Sequence, residues 1–395
     1  MVENQALIRS KWKFYVFSLI FSMFFASLSS IYTPLLANYV EELGGPAYLA
    51  TASILTIPQI SAGFAMILIS LYADKTGKRI ETLLVILLSG VLAHLLLLVP
   101  SLPTLIVSRA LAGITLFSAM PVATSIINML APRDKLGSAL AFYIGATMIA
   151  SSVTQIFSGF LYAIMGGYTF LIYTALVFNT IALIIAFIAG FKIKRYTNVR
   201  TNSVGFVRIL GILRIKHLVF LTLGHSLYSV GWNLVIPTSP FIMSRVFNAS
   251  PQIYTVIFGL SMLTMGIGQY IWGPAIDKWG GIKIILSSYA ISALVTLTIA
   301  IFELNYYTYS ILLILFALFA SAGPPSVNYI VSRSVNPEIT SIAVSIPWFF
   351  AYLASTVGFS AGPLTVAYGM KLVYQIAALM QFTGVILLSR MHRTL

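Results

Sequence analysis

Three polar side chains that could do chemistry stand inside long apolar runs of the sequence: Arg109, His225 and Gln155. Arginine keeps its positive charge at physiological pH, histidine titrates near neutrality, and glutamine carries an amide donor and acceptor. These groups suit anion binding, proton coupling and hydrogen bonding to a solute, respectively. The nine acidic residues, in contrast, all fall at the ends of the apolar runs or between them: Glu3, Glu41, Glu42, Asp74, Glu81, Asp134, Asp277, Glu303 and Glu338.

The sequence motifs point away from an enzyme. The chain lacks the GxxxxGKS/T loop that binds nucleotide phosphates and the HExxH pair that holds zinc. It contains no cysteine, which excludes disulfides and thiolate metal sites. We therefore expect a protein that is not an enzyme and needs no cofactor or metal, so that any energy it uses comes from a solute or ion gradient.

The composition is that of an integral membrane protein. Of 395 residues, 59% are hydrophobic and only 8% are charged, against about 25% charged residues in ordinary soluble domains. Successive apolar stretches are long enough for the roughly 20 residues with which a helix crosses a bilayer. They span residues 14–38, 48–72, 80–99, 103–130, 137–165, 168–190, 217–244, 253–276, 282–302, 307–332, 339–366 and 370–389. The predicted fold class is an all-α membrane protein with twelve transmembrane helices.

The basic residues predict the topology. With the N-terminus in the cytoplasm, every Lys and Arg except Arg109, Arg245 and Lys371 falls in a cytoplasmic segment, as the positive-inside rule requires. The net charge of +14 is thus a topology signal, and we expect no nucleic-acid partner. Both termini are expected on the cytoplasmic side of the cell membrane, with the lipid bilayer as the main partner.

The sequence repeats itself at an offset of 203 residues. Proline, glycine and aspartate positions coincide: Pro34 with Pro237, Gly63 with Gly266, Asp74 with Asp277, Gly77 with Gly280, and Pro121 with Pro324. An even number of helices in each half makes such a repeat parallel. We predict a six-helix bundle at residues 1–190, a basic cytoplasmic linker at 191–216, and a second six-helix bundle at 217–395.

The repeated cytoplasmic turn carries a family resemblance. ADKTGKR (Ala73–Arg79) resembles the loop signature of the major facilitator superfamily between helices 2 and 3. RALAG (Arg109–Gly113) resembles the family's helix-4 motif, and APRDKLGSALAF (Ala131–Phe142) resembles its loop from helix 4 into helix 5. The resemblance covers the whole chain. It implies a twelve-helix secondary transporter that works by alternating access between two pseudo-symmetric bundles.

The resemblance also implies a conformational latch on the cytoplasmic side. Asp74 would meet the start of helix 11 near Thr340–Ser341, and Asp277 would meet the start of helix 5 near Gly137–Ser138. Each contact would join the two halves, because a helix N-terminus attracts a carboxylate. The alternative is a turn that only sets topology. The predicted latch residues are Asp74, Gly77, Lys78, Arg79, Asp134, Asp277, Gly280 and Arg333.

The resemblance places the substrate cavity between helices 1, 4, 7 and 10, with helices 2, 5, 8 and 11 alongside. Besides Arg109 and His225, the candidates for coupling or substrate contact are polar and aromatic residues of these helices. They are Ser29, Tyr32, Asn128, Gln155, Trp232, Asn233, Gln269, Asn328, Trp348 and Tyr352. For any single aromatic residue, packing or a place in the interfacial belt is the alternative.

Arg109, His225 and Gln155 each have an alternative, purely structural interpretation. Arg109 either acts in coupling or anion binding, as the family's helix-4 arginine, or snorkels to the outer headgroups. His225 either titrates during transport or is merely hydrogen-bonded across helices. Gln155 either faces the cavity or bonds a neighbouring helix.

These observations lead to an expected function. The chain should export or exchange a small organic solute, neutral and amphipathic or anionic, because its cavity candidates include no acid. The alternatives are an uptake carrier for an organic anion or neutral nutrient, and a transport-dead sensor or scaffold on the same fold. We expect a monomer that binds a small-molecule substrate, with the proton as the candidate coupling ion.

Overall fold

The protein is all-helical over the residues described by a computed structural model. These are residues 2–45, 56–165, 167–197, 211, 214–239, 242–243, 246–249, 251–356 and 361–393. Helices at all twelve predicted positions follow one another, and β-strands are absent from this part of the chain. Eleven of these helices are long and apolar enough to cross a membrane. Both results confirm the predicted fold class.

The helix bounds run as follows. The first half contains α1 (Val2–Leu28, continued by a 3-10 segment at Ser29–Leu35 and a short helix at Leu36–Glu42), α2 (Thr56–Thr76), α3 (Arg79–Leu97), α4 (Leu102–Gly113, Ile114–Ser118 and Ala119–Leu130), α5 (Leu136–Met165) and α6 (Tyr168–Thr197). The second half contains α7 (Lys216–Val235), α8 (Pro251–Trp279), α9 (Gly281–Ile301), α10 (Tyr306–Ala320 and Gly323–Ser334), α11 (Thr340–Ser355 and Ala361–Tyr368) and α12 (Met370–Ser389).

Local sequence explains several helix boundaries. Ser101 caps α4 by accepting a hydrogen bond from the backbone N–H of Thr104, and Asn305 caps α10 by accepting one from Thr308. Gly77 and Gly280 turn the chain between α2 and α3 and between α8 and α9, with φ of +71° and +85°. Glycine reaches such angles without steric cost, and the repeated cytoplasmic turn is present in both halves.

Two transmembrane helices change their winding in the middle. In α1, the 3-10 segment Ser29–Leu35 contains Pro34, which lacks a backbone N–H and cannot continue the α-helical bonding pattern. In α4, residues Ile114–Ser118 form a π-helical turn between two α-helical segments. Such turns open the regular backbone ladder and occur frequently at functional sites. Both interruptions fall in helices that were predicted to line the cavity.

Two predicted helix ends, those of helices 6 and 7, were wrong. Helix 7 was predicted to reach residue 244, but α7 ends at Val235, close to Pro237, which has no backbone N–H to continue the helical hydrogen bonds. Helix 6 was predicted to end at 190, but α6 continues to Thr197, so the start of the predicted linker is helical. Residues 198–210 and 212–213 of that linker lie outside the described residues. Helix 11 was predicted as one span; α11 is described as two segments, and residues 357–360 between them lie outside the described residues.

Two helix pairs form the longest seams between the halves. Helix α5 packs against α8 through small residues: a Cβ added at Gly145 would lie 2.9 Å from the backbone oxygen of Gly266, and one added at Gly273 would lie 2.7 Å from Cβ of Ala141. Small residues let helix backbones approach closely in a membrane. Helix α2 meets α11, where Gly63 faces the ring of Phe349. These two seams bring the predicted contact residues of the halves together.

Candidate functional site

The carboxylate of Asp277 binds the start of α5 in the opposite half. Its Oδ1 accepts a hydrogen bond from the backbone N–H of Gly137 at 2.7 Å. Its Oδ2 accepts from the backbone N–H of Ser138 at 2.8 Å and from the Ser138 hydroxyl at 2.5 Å. The first N–H groups of a helix have no partner within the helix and carry partial positive charge. The contact therefore holds the end of α8 against the start of α5.

The carboxylate of Asp74 makes the symmetry-related contact with α11. Its Oδ2 accepts a hydrogen bond from the backbone N–H of Ile342 at 2.8 Å, one residue beyond the expected Thr340–Ser341. Its Oδ1 accepts from Nη2 of Arg79 at 2.9 Å, and both side chains are completely buried. The second half has no counterpart of this arginine, since Ile282 stands at the equivalent position. Both aspartates thus accept hydrogen bonds from a helix start of the opposite half, and only Asp74 is also paired with an arginine.

Arg79 is the most heavily bonded of the predicted latch residues. Its Nε donates to the hydroxyl of Ser125 at 2.9 Å, and its Nη1 donates to the carbonyl of Thr197 at 3.2 Å. Its Nη2 also donates to the carbonyl of Glu338 at 2.6 Å. The guanidinium thereby ties the end of α6 and the turn before α11 to the Asp74 contact. Arg79 is completely buried, because α4, α6 and the α10–α11 turn cover it.

The remaining charged members of the predicted latch do not join the contacts. Lys78, Asp134 and Arg333 are exposed at the same end of the molecule. The Arg333 guanidinium lies over the ring of Tyr329, 5.6 Å from its centroid, within one half. Among the described residues, Asp134 has no hydrogen bond or ion pair. The contacts of this end therefore centre on Asp74, Arg79 and Asp277.

A second layer of polar contacts crosses between the halves. The Asn128 amide on α4 donates to the hydroxyl of Thr340 on α11 at 2.9 Å. The Asn328 amide on α10 donates to the hydroxyl of Thr124 on α4 at 3.2 Å. Trp348 on α11 supports this bond, since its indole N–H donates to Oδ1 of Asn328 at 2.9 Å. Asn328 and Thr124 are completely buried, and a buried amide needs such partners.

An aromatic layer adjoins this polar layer. The ring of Tyr352 on α11 packs edge-on against Phe117, 5.2 Å between centroids, and lies 5.7 Å from the ring of Trp348. Phe117 belongs to the π-helical turn of α4. The rings of Phe349 and Phe64 close the α2–α11 seam in the same way, 5.7 Å apart. The predicted cavity residues Asn328, Trp348 and Tyr352 are thus brought together where the halves meet.

Arg109 is buried inside the first bundle. Its exposed fraction is 1%, so the side chain does not snorkel to the outer headgroups. The guanidinium lies over the ring of Tyr32, 5.8 Å from the centroid, and donates to the Tyr32 hydroxyl at 3.4 Å. Tyr32 stands in the 3-10 segment of α1 and packs edge-on against His94. A permanent positive charge is therefore held next to the irregular part of α1.

His225 is buried inside the second bundle and touches the layer between the halves. Its Nδ1 is 2.9 Å from the Tyr289 hydroxyl, and its ring packs edge-on against Trp348, 4.9 Å between centroids. Its Nε2 has no hydrogen-bond partner in the described part of the chain. A continuous chain of contacts therefore leads from His225 through Trp348 and Asn328 to Thr124 in the opposite half.

The other cavity candidates lie either on α5 and α8 or on α1 and α7. Gln269 joins the seam between α5 and α8, where its amide donates to the carbonyl of Ser321 at 2.6 Å and approaches Sδ of Met148. Gln155 on α5 is partly buried, and its Oε1 has no partner among the described residues. Ser29 and Asn233 instead donate to carbonyls of their own segments, and Trp232 is partly buried in α7.

Three residues of this region were missed by the sequence analysis: Thr124, Phe117 and Tyr289. One signal pointed to Thr124, which lies 204 residues before its partner Asn328, within one residue of the repeat offset. Residues near a pseudo-two-fold axis lie close to their own counterparts, so residue pairs near this offset on α4 and α10 were candidates. The aromatic residues carry no comparable signal, since aromatics occur throughout membrane helices.

Comparison with known proteins identifies the family. The sequence model of the Major Facilitator Superfamily matches residues 15–219 and 221–394. The chain belongs to this superfamily. The boundary between the two matched segments falls beside the start of α7, at the junction of the two helical halves. The chain is therefore a transporter of the major facilitator superfamily with multiple membrane passes.

Individual members of the superfamily are distant in sequence and close in fold. The Bacillus subtilis (strain 168) protein YdgK, described as an uncharacterized MFS-type transporter, is 21% identical over 257 residues, which cover 64% of this chain and 62% of that protein. The human organic anion transporter MFSD10 (TETRAN) superposes with a TM-score of 0.77 at 16% identity, over 95% of this chain and 99% of the other. The Escherichia coli fucose:proton symporter FucP gives 0.75 at 13% identity, over 96% and 99%.

Proposed function

We propose that the protein is a secondary transporter that moves a small organic solute across the cytoplasmic membrane by alternating access. The observation that carries this proposal is the pair of aspartate contacts, which bind each half to a helix start of the other half. Such contacts are few, polar and located at one end, so they can break while both bundles stay intact. A permanent scaffold would be better served by the apolar packing found within each half.

We propose a neutral amphipathic or anionic solute and export or exchange as the direction. The support lies in the residues near the centre, which offer amides, aromatic rings and the buried charge of Arg109. A structural likeness to an organic anion transporter and to a fucose symporter fits these two classes of solute. Uptake of an organic anion or neutral nutrient is the second candidate.

The decisive experiment for this proposal is a flux assay on a ligand found by thermal shift. A compound that binds only the folded state raises the melting temperature of the purified protein. We expect such a compound to enter or leave proteoliposomes, and to do so faster with wild-type protein than with the paired variant Asp74→Asn/Asp277→Asn. Ligands that bind without any flux, under gradients of either direction, would contradict the transport role and favour a sensor.

Arg109 and His225 give a prediction about coupling. Arg109→Ala should impair transport. Arg109→Lys should retain part of the transport activity if only the charge matters, and little of it if a bidentate guanidinium contact is needed. Transport should either be nearly independent of pH or lose its pH dependence in His225→Gln, because α1–α12 hold no carboxylate at mid-membrane depth among the described residues. The measurement is flux across the pH range in which histidine titrates, with the exposed Arg133→Ala as the control. Proton-driven uphill transport that survives His225→Gln and is abolished by neutralising one acid would contradict this coupling scheme.

Topology gives a separate prediction. We propose that both termini and residues 191–216 are cytoplasmic, because positive charge concentrates there. The native chain has no cysteine, so single cysteines report without background. A cysteine at Thr201, which lies outside the described residues, should resist a membrane-impermeant thiol reagent in intact cells and react after the cells are opened. A cysteine at Glu303, between α9 and α10, should react in intact cells, and the reverse pattern would invert the proposed orientation.

A further inference from the structure

A cleft of about 310 Å³ opens at the end of the first bundle opposite Asp74. It lies where α1 and α3 end, where α5 ends and where α6 begins. Five polar side chains line it: Tyr39 and Glu42 from α1, Tyr162 from α5, and Tyr168 and Thr169 from α6. The cleft is separate from the layer between the halves, and the proposed transport role does not use it.

The three tyrosine rings of the cleft form one aromatic wall. The ring of Tyr168 stands between the other two, with centroids 4.7 Å from Tyr39 and 4.8 Å from Tyr162 and tilts of 44° and 56°. An aromatic ring carries negative potential on its face. Rings gathered around a cleft therefore attract positively charged groups, and quaternary ammonium ligands are the best-known occupants of such sites.

Glu42 supplies the matching charge. Among the described residues that line the cleft, it is the only charged one. Its Oε1 accepts a hydrogen bond from the Tyr162 hydroxyl at 3.3 Å, which leaves the remaining lone pairs of the carboxylate available. Burial raises the pKa of the Tyr39 phenol and the nearby Glu42 carboxylate raises it further, so this ring stays neutral. In a protein with a net charge of +14, this cleft is thus lined by a carboxylate and by no described basic residue.

We propose that this cleft binds an organic ammonium group against the three tyrosine rings and the Glu42 carboxylate. A single carboxylate with aromatic walls suits an alkylated ammonium better than a metal ion, which needs several oxygen ligands. Two sources share this chemistry: a free ammonium solute such as choline, and the ammonium of a phospholipid headgroup. The second is available because the cleft lies at the ends of membrane-spanning helices.

Binding of choline to the full-length protein in detergent tests the soluble source. The probe pair is choline and its neutral carbon isostere, in which a tert-butyl group replaces the trimethylammonium. Titration calorimetry should detect choline and not the isostere. Glu42→Gln should weaken choline binding by about tenfold and Tyr162→Leu at least as much. The matched control is Glu303→Gln, which removes an exposed carboxylate from the same end of the second half and should leave binding unchanged.

Native mass spectrometry tests the lipid source. Protein from bilayers of phosphatidylethanolamine and phosphatidylglycerol should retain the former, and Glu42→Gln should lose it while Glu303→Gln keeps it. Binding in either assay with this dependence on Glu42 supports the site and identifies the source. Equal binding of the isostere, binding unaffected by Glu42→Gln, or no ammonium ligand in either assay would overturn it. Transport by Glu42→Gln should remain at the wild-type level, so failure here leaves the transport proposal standing.

Discussion

Replacing Arg79 by methionine is expected to destabilise the protein by about 3–5 kcal/mol, the cost of leaving a buried charge without its partner. The guanidinium is completely buried and donates to Asp74, Ser125 and the carbonyls of Thr197 and Glu338. Methionine has similar length and none of these donors, so the Asp74 carboxylate would lose its ion pair inside the protein. Thermal unfolding of the purified variant in detergent measures the effect.

Two further variants separate charge from packing in this prediction. Lys78→Met removes the neighbouring positive charge, which is exposed, and should leave the melting temperature nearly unchanged. The double variant Asp74→Asn/Arg79→Met removes both charges and should be more stable than Arg79→Met alone. A double variant that is no better than the single one would mean that the lost contacts, and not the bare carboxylate, are responsible.

Replacing Gly145 by leucine is expected to reduce transport by at least about tenfold. A Cβ at this position would lie 2.9 Å from both the backbone oxygen of Gly266 and Cβ of Gln269, so a larger side chain must push α5 away from α8. Overpacking of this kind costs about 1–3 kcal/mol, which shifts the balance between conformations by about tenfold when only one of them brings α5 and α8 together. Flux of the identified ligand in proteoliposomes provides the measurement.

The same helix offers the control for the Gly145 prediction. An added Cβ at Gly159, also on α5, meets no described atom within 4 Å. Gly159→Leu should therefore keep wild-type flux and a wild-type melting temperature. Equal losses of flux in Gly145→Leu and Gly159→Leu would show that leucine harms α5 itself and that the α5–α8 seam is not responsible.

The sequence predicted the features that depend on local composition and on the repeat. Apolar stretches placed the helices, and the offset that pairs Asp74 with Asp277 led to both aspartates, which lie at the ends of α2 and α8. Glycine at positions 77 and 280 predicted the turns, because few other residues accept a positive φ. Each of these signals is contained in a short stretch of sequence or in its repeat.

The features that escaped prediction depend on contacts between distant parts of the chain. Arg79 is buried because α4, α6 and the α10–α11 turn supply its acceptors, and none of these is adjacent in sequence. The π-helical turn at Ile114–Ser118 has no marker residue comparable to Pro34 in α1. The bond between Thr124 and Asn328 requires the two bundles to meet at a particular register, which is set by the packing of whole helices.

The population of the closed cytoplasmic end reports directly on the two aspartate contacts. Spin labels at Lys75 and Asn336 span the Asp74 contact, and labels at Arg133 and Lys278 span the Asp277 contact; all four positions are exposed. A carboxylate at a helix N-terminus contributes about 0.3–1 kcal/mol, and up to about 2 kcal/mol when partly buried. Asp74→Asn and Asp277→Asn should therefore each raise the ratio of open to closed conformations severalfold. The distance distribution would then contain a larger fraction of long distances.

Asp134→Asn is the control for this measurement, since Asp134 is an exposed acid at the same end. We expect a wild-type distance distribution for this variant, a shift in each of the two aspartate variants, and a larger shift in Asp74→Asn/Asp277→Asn. Distributions in Asp74→Asn and Asp277→Asn that match those of Asp134→Asn would contradict this expectation. The turns that contain Gly77 and Gly280 would then only set the topology, and packing without the aspartates would hold the halves together.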